Sequence, residues 1–261
     1  MGFVNVNLLS DPYFQEGLNT RYDNTKQQAS DKGKLPEIEQ FEAKILADGK
    51  GVINMSSELL FLLVNQNEDY LSYQRAVEAG KRAKAIFQND RDRCIVESAF
   101  YGYDGRNLVY AALTVNEQGL SSYGDVTVLL RTSNIEQRTT VFEKNTYDLF
   151  DEFVEKGWKV RKTIPSGHCG TWKERGKVAV AKHGSEIATE TTAPDPAILL
   201  LKSDGDRGTD EFIELHIFNK VNYSNFEQVV FLKQPETPFG RIQLEILKSK
   251  LQEKNILLKF L

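Results

Sequence analysis

Between residues 94 and 231 the chain alternates short runs rich in valine, leucine and threonine with turn signals, and no other feature limits the fold as strongly. "CIVESAF", "NLVYAALTV", "DVTVLLR" and "RTTVF" are separated by "GYDGRN", "NEQG" and "SSYGD". Runs of that length and composition, bounded by Gly, Asn, Asp and Ser, read as strands. "TYDLFDEFVEKG" reads as a helix with an apolar stripe of Tyr147, Phe150 and Val154, closed by Gly157. "KVAVAKHG", "AILLLKS", "EFIELHIF" and "QVVFL" then resume the strand pattern.

The flanks have a different period. Pro36 opens a pattern in which Ile38, Phe41 and Ile45 fall three and four apart, and the glycines of "ADGKG" end it. "SSELLFLLVNQ" offers a capping serine before an apolar run. "EDYLSYQRAVEAGKRAKAIFQ" sets Tyr73, Val77, Ala83 and Phe87 on one stripe. The tail, "FGRIQLEILKSKLQEKNILLKFL", reads as a helix with strand character at its end. Residues 15–36 hold few apolar side chains and read as a loop or mobile arm. Helices at the ends and strands in the middle predict one α+β domain over 1–261. Its antiparallel or mixed central sheet is drawn from about 94–231, with a helical part at 36–90 and a C-terminal helix.

Charge and cysteine usage bound the function. A net charge of −4 argues against a nucleic-acid partner. Cys94 and Cys169 form no CxxC pair and read as free thiols of a reducing compartment. The first residues lack the charged and apolar regions of a signal peptide, and no apolar run reaches the roughly 18 residues of a membrane span. The expectation is a cytoplasmic protein with no membrane partner. GxGxxG after a strand, GxxxxGK[ST], HExxH and GxSxG are all absent. His168, His183, His216 and Cys169 have no metal-ligand spacing, so no metal is expected; "SDGDRGTDE" at 203–211 lacks calcium-loop spacing and reads as a solvated turn.

One pair of polar residues stands out. On a strand, Glu214 and His216 project to one face while Ile213, Leu215 and Ile217 project to the other. Two readings follow: a solvent-facing polar side of an amphipathic strand, or a carboxylate and an imidazole in a cleft. Tyr123 and Gly124 likewise read as a strand-opening turn or as part of a site. Trp158 and Trp172 read as core covers, and Tyr101 and Tyr103 as turn packing.

Three segments taken in order, "SSYGDVTVLLR" (121–131), "IEQRTTVFEKNTYD" (135–148) and "EFIELHIFNKVNYSNFEQVVF" (211–231), carry a resemblance. Together they resemble toxin-type ADP-ribosyltransferase-like domains of phage head proteins and bacterial polymorphic toxins. Tyr123–Gly124 match the Tyr-Gly that opens a strand, Arg138–Thr139 an Arg-x-Thr stretch, and Glu214 the glutamate of a later strand. The chain departs where "NTYD" replaces a Gly-Asp-Ser turn, where His216 replaces glutamine, and where "FN" replaces His-Gly. The resemblance implies an NAD-consuming transferase or glycohydrolase, with NAD as substrate together with an acceptor. Glu214 and His216 would be catalytic, Arg138 or Arg106 would hold the pyrophosphate, and Tyr123 would stack on a base. The departures imply the alternative, a binding or scaffold protein that keeps the fold without the chemistry, with a protein partner against the helices of 36–90.

Overall fold

The structure, a computed structural model, describes residues 3–82, 88–155, 166–192 and 194–261, and at 88–94 and 152–155 the backbone alone. Ala83, Phe87, Gly157 and Trp158, and the side chains of Cys94 and Val154, lie outside that set.

The chain opens with α1 (Val4–Leu9), α2 (Pro12–Asp31) and α3 (Leu35–Asp48), then β1 (Lys50–Met55), α4 (Ser57–Asn65), α5 (Tyr73–Glu78) and α6 (Gln88–Tyr101). The middle holds β2 (Leu108–Thr114), β3 (Val126–Leu130), α7 (Thr132–Ile135), β4 (Thr139–Phe142), α8 (Thr146–Glu155) and β5 (Cys169–Thr171). There follow α9 (Arg175–Ile187), α10 (Pro196–Leu200), β6 (Leu201–Lys202), β7 (Glu211–Phe212), β8 (Glu214–Phe218), β9 (Phe226–Phe231), α11 (Pro238–Glu253) and β10 (Leu257–Phe260). Eight strands form one mixed sheet in the order β10-β9-β3-β1-β2-β8-β4-β5. Only its outer β9–β10 pair is parallel among these neighbours. The fold is α+β with a mixed sheet and helices at both ends.

One face of the sheet carries the main core. Ile53, Val109, Ala111, Val128, Val141, Leu215 and Val229 pack there with Ile38, Phe41 and Ile45 of α3, Leu60 and Leu63 of α4, and Leu247 and Leu251 of α11. The helical third and the sheet thus share a continuous apolar cluster. Each Val, Leu, Ile or Phe side chain among them contributes roughly 1.5–3 kcal/mol by leaving water. The buried residues of α3 and α4 face this core. Ser56 caps α4 by accepting from the Leu59 N–H, the role its position before the apolar run suggests.

Five local expectations fail for physical reasons. Residues 15–36 are no free arm: most belong to α2, 32–34 form the turn after it, and Leu35 and Pro36 open α3. Phe14, Leu18 and Ala29 of α2 are buried against the rest of the fold, and Arg21 reaches Glu143 at 2.6 Å. So few apolar anchors suffice because α9 supplies a closely fitting partner: a Cβ on Gly184 would fall 2.2 Å from Thr25 Cγ2. Residues 50–55, expected to lie in a helical region, form the central strand β1. "CIVESAF" belongs to α6, since its buried residues Val96, Glu97, Phe100 and Tyr101 follow a helical spacing. "KVAVAKHG" is α9, whose Gly176, Ala179, Val180, His183 and Ile187 recur at three- and four-residue steps beneath the apparent Val-Ala alternation. Similarly, most of "AILLLKS" is the short α10. No described helix is long and apolar enough to cross a membrane.

Candidate functional site

The second face of the sheet is covered in two separate apolar patches. One joins Val52, Ala112, Leu129 and Val230; the other joins Leu108, Phe142 and Cys169 with Phe100 and Leu149. Glu214 pairs across the sheet with Ala112 on one side and Phe142 on the other, so it stands where the patches part. His216 follows on the same face, flanked by Tyr110 and Thr140.

At this place the sheet also splits. β1 pairs with β2 only through Lys50, Gly51 and Val52. Beyond them β1 continues against β3 as far as Met55, while Leu108–Ala111 of β2 pair with β8. The two central strands therefore diverge, and a cleft of about 300 Å³ occupies the opening. That volume lies at the small end of ligand sites, roughly 300–1,000 Å³. Tyr70, Tyr73, Tyr110 and Tyr123 line it together with Glu214 and Arg82. Segment 68–82 closes one side and is docked by polar links. Tyr70 bridges to Val221, Ser72 donates to the Arg106 carbonyl, and Gln74 donates to Glu97 at 2.6 Å. Tyr110 donates its phenol proton to the other oxygen of Glu97 at 2.7 Å.

The Glu214 carboxylate is held firmly. Its Oε1 accepts from the Thr146 N–H at 3.0 Å, from the Thr146 hydroxyl at 2.6 Å, and lies 2.8 Å from His216 Nε2. His216 Nδ1 meets the Tyr101 hydroxyl at 3.1 Å, which in turn meets Thr140 Oγ1 at 3.3 Å. With Glu214 ionised, His216 donates from Nε2 and accepts the Tyr101 proton at Nδ1, so the relay satisfies every member. Phe142 and Tyr110 wedge the imidazole between rings at 4.4 and 4.8 Å. Burial pushes the Tyr101 phenol well above its ordinary range, and burial followed by the Glu214 charge raises the Asp148 carboxyl. Glu214 and His216 are 2% and 1% exposed, which removes the reading of a solvent-facing polar strand.

The other expected site residues divide. Tyr123 lies in the cleft with Glu214. Gly124 beside it is demanded by a close approach: a Cβ there would fall 2.3 Å from the Met55 carbonyl. Arg138 is elsewhere. Its guanidinium donates to the carbonyls of Phe218, Asn219, Lys220 and Asn134, fixing the turn after β8, which leaves it no fork for a pyrophosphate. Arg106 bonds Glu78 and Tyr103 outside the cleft wall. Thr146, within the "NTYD" that departs from the family turn, was a missed member of the site, as were Tyr110 and Arg82. A threonine at a helix start signals a cap, but nothing local shows that its hydroxyl meets a residue 68 positions away. Trp172 is a core residue as expected, Tyr101 is a site residue, and Tyr103 is exposed. Among the described residues no group of three His, Cys, Asp or Glu side chains is placed to hold a metal. No protein-family model matches the chain, and no curated protein matches it.

Proposed function

We propose that the cleft binds NAD and that Glu214 promotes cleavage of the bond between nicotinamide and ribose, with transfer of ADP-ribose to an acceptor or to water. One observation carries this reading: a carboxylate fixed by Thr146 and His216 lines an aromatic cleft where the sheet splits. In the reaction the glycosidic C–N bond breaks and its electron pair leaves with nicotinamide, which departs neutral. The ribose acquires oxocarbenium character, and a nucleophile that loses its proton forms the new bond at the same carbon. A preorganised carboxylate in a partly dry cleft opposes that positive charge more strongly than it would in water. The tyrosine rings offer stacking surfaces for nicotinamide or adenine. The ordered resemblance of residues 121–148 and 211–231 supports the same chemistry.

The test is incubation of the full chain with NAD, following free nicotinamide and any ADP-ribosylated macromolecule. Release of nicotinamide at a rate proportional to protein supports the reading, and none over hours at millimolar NAD removes it. The binding-module alternative has one observation in its favour: Arg138 is occupied by backbone carbonyls. Saturable NAD binding without nicotinamide release would establish that alternative.

A further inference from the structure

With Arg138 and Arg106 engaged elsewhere, the cleft needs another group if it is to hold a phosphate. We propose that Arg207 is this group, and that the cleft selects a nucleoside diphosphate or an ester of one, its base against Tyr123 and its phosphates at Arg207. The inference rests on the reading above only in taking the cleft as the ligand site.

Arg207 belongs to the 203–211 segment, whose sequence reads as a plain solvated turn. In the structure that segment lies against residues 121–123. The Arg207 guanidinium sits over the ring of Tyr123, 4.6 Å from its centroid, and Nε donates to the Ser122 carbonyl at 2.9 Å. Stacking and the Nε bond fix the plane of the fork while leaving its two terminal nitrogens with no hydrogen-bond partner among the described residues. That is the arrangement a bidentate phosphate contact requires. Among the described residues none of the nearby acids forms an ion pair with it. Asp204 accepts from the Asp206 N–H and Thr209, Asp206 accepts from the Gly208 N–H, and Asp210 is bonded to Ser122. Tyr123 lines the cleft, and Arg207 stacks on its ring. Arg82, stacked over Tyr73 at 4.6 Å, also lines the cleft. An aromatic base against Tyr123 would carry its phosphates to the Arg207 guanidinium, already oriented.

The experiment titrates the full chain with ADP and with adenosine, using wild type, Arg207→Ala and Arg207→Lys. Wild type is expected to bind ADP at least about tenfold tighter than adenosine, the scale of a charge-assisted contact. Arg207→Ala should lose most of that preference while its adenosine affinity holds. Arg207→Lys, which keeps the charge without the fork, should fall between. Because Arg207 is exposed, all three proteins should melt within about a degree of one another. Equal binding of ADP and adenosine by wild type, an undiminished ADP preference in Arg207→Ala, or no ADP binding at millimolar concentration would each overturn the proposal. A preserved ADP preference without nicotinamide release would remove the transferase and leave Arg207 standing. Nicotinamide release with unchanged kcat/KM in Arg207→Ala would do the reverse.

Discussion

Among the described residues two glutamate–histidine pairs meet at hydrogen-bonding distance, and they are built to different ends. Glu143, just past β4, meets His168 Nδ1 at 2.6 Å and the Arg21 guanidinium at 2.6 Å. Arg21 also donates to the Gly167 carbonyl, so the pair ties α2 to β4 and to the approach of β5. Glu214 meets His216 at 2.8 Å, with hydroxyls and aromatic rings around them, and borders a cleft. A carboxylate matched to a fixed guanidinium has its charge answered within the fold. A carboxylate held by an imidazole, a hydroxyl and a backbone N–H at a cleft wall can still act on a ligand's charge. The first pair joins segments, and the second supplies a field.

The largest expected effect falls on the second pair. Glu214→Gln keeps the shape, and its carbonyl oxygen can still accept from Thr146. NAD cleavage should drop at least about a hundredfold, as when one preorganised electrostatic group is removed, with little change in melting temperature. Nicotinamide release and a thermal melt on the same preparation check this. A variant that melts like wild type and retains a tenth or more of its activity would erase the distinction between the pairs.

Arg138 sharpens the comparison, because it is a third buried polar anchor that resemblance placed in the site and the structure places at a turn. Arg138→Met removes donors from four carbonyls near β8. Leaving such acceptors unpaired costs roughly 1–3 kcal/mol, so a melting shift of several degrees is expected. The KM for NAD per folded molecule should stay within about twofold. A tenfold rise in KM with an unshifted melt would return Arg138 to the ligand.

The strand that carries Glu214 and His216 was legible from alternation alone, because its partition into an apolar and a polar side is a local property of period two. The cleft beside it was not. It exists because β1 stops pairing with β2 after Val52, and that parting depends on contacts of β1 with β3 and of β2 with β8, more than 70 and 100 residues away in sequence. The strand β1 itself was hidden by its helical neighbours. In α2 the anchors Phe14, Leu18 and Ala29 are too sparse for composition to reveal, and its ion pair joins residues 122 apart. Arg207 sat in a loop of Gly, Asp and Ser whose sequence gives no hint of the tyrosine it meets.

The smallest effect belongs to the first pair, and pH reveals it. Burial alone would raise the Glu143 carboxyl, but the hydrogen bonds and charges of His168 and Arg21 outweigh it and hold the group below its ordinary value near 4.5. A carboxyl depressed in the folded state stabilises the fold above its unfolded value. That contribution is lost as pH falls below about 4.5 and through the lower folded value. Arg21→Met deletes one of the two partners while keeping the apolar stem beside Gly167. At neutral pH it should cost about 1–2 kcal/mol, less than for a fully buried ion pair because the Arg21 side chain is 32% exposed. NAD cleavage per folded molecule should be unaffected. Denaturant melts from pH 7 down through the acid range give the decisive reading: the gap between wild type and Arg21→Met should begin to narrow below about 4.5, as Glu143 takes up its proton. A gap that stays constant would mean that Arg21 acts through its stem and its bond to the Gly167 carbonyl rather than through the Glu143 charge.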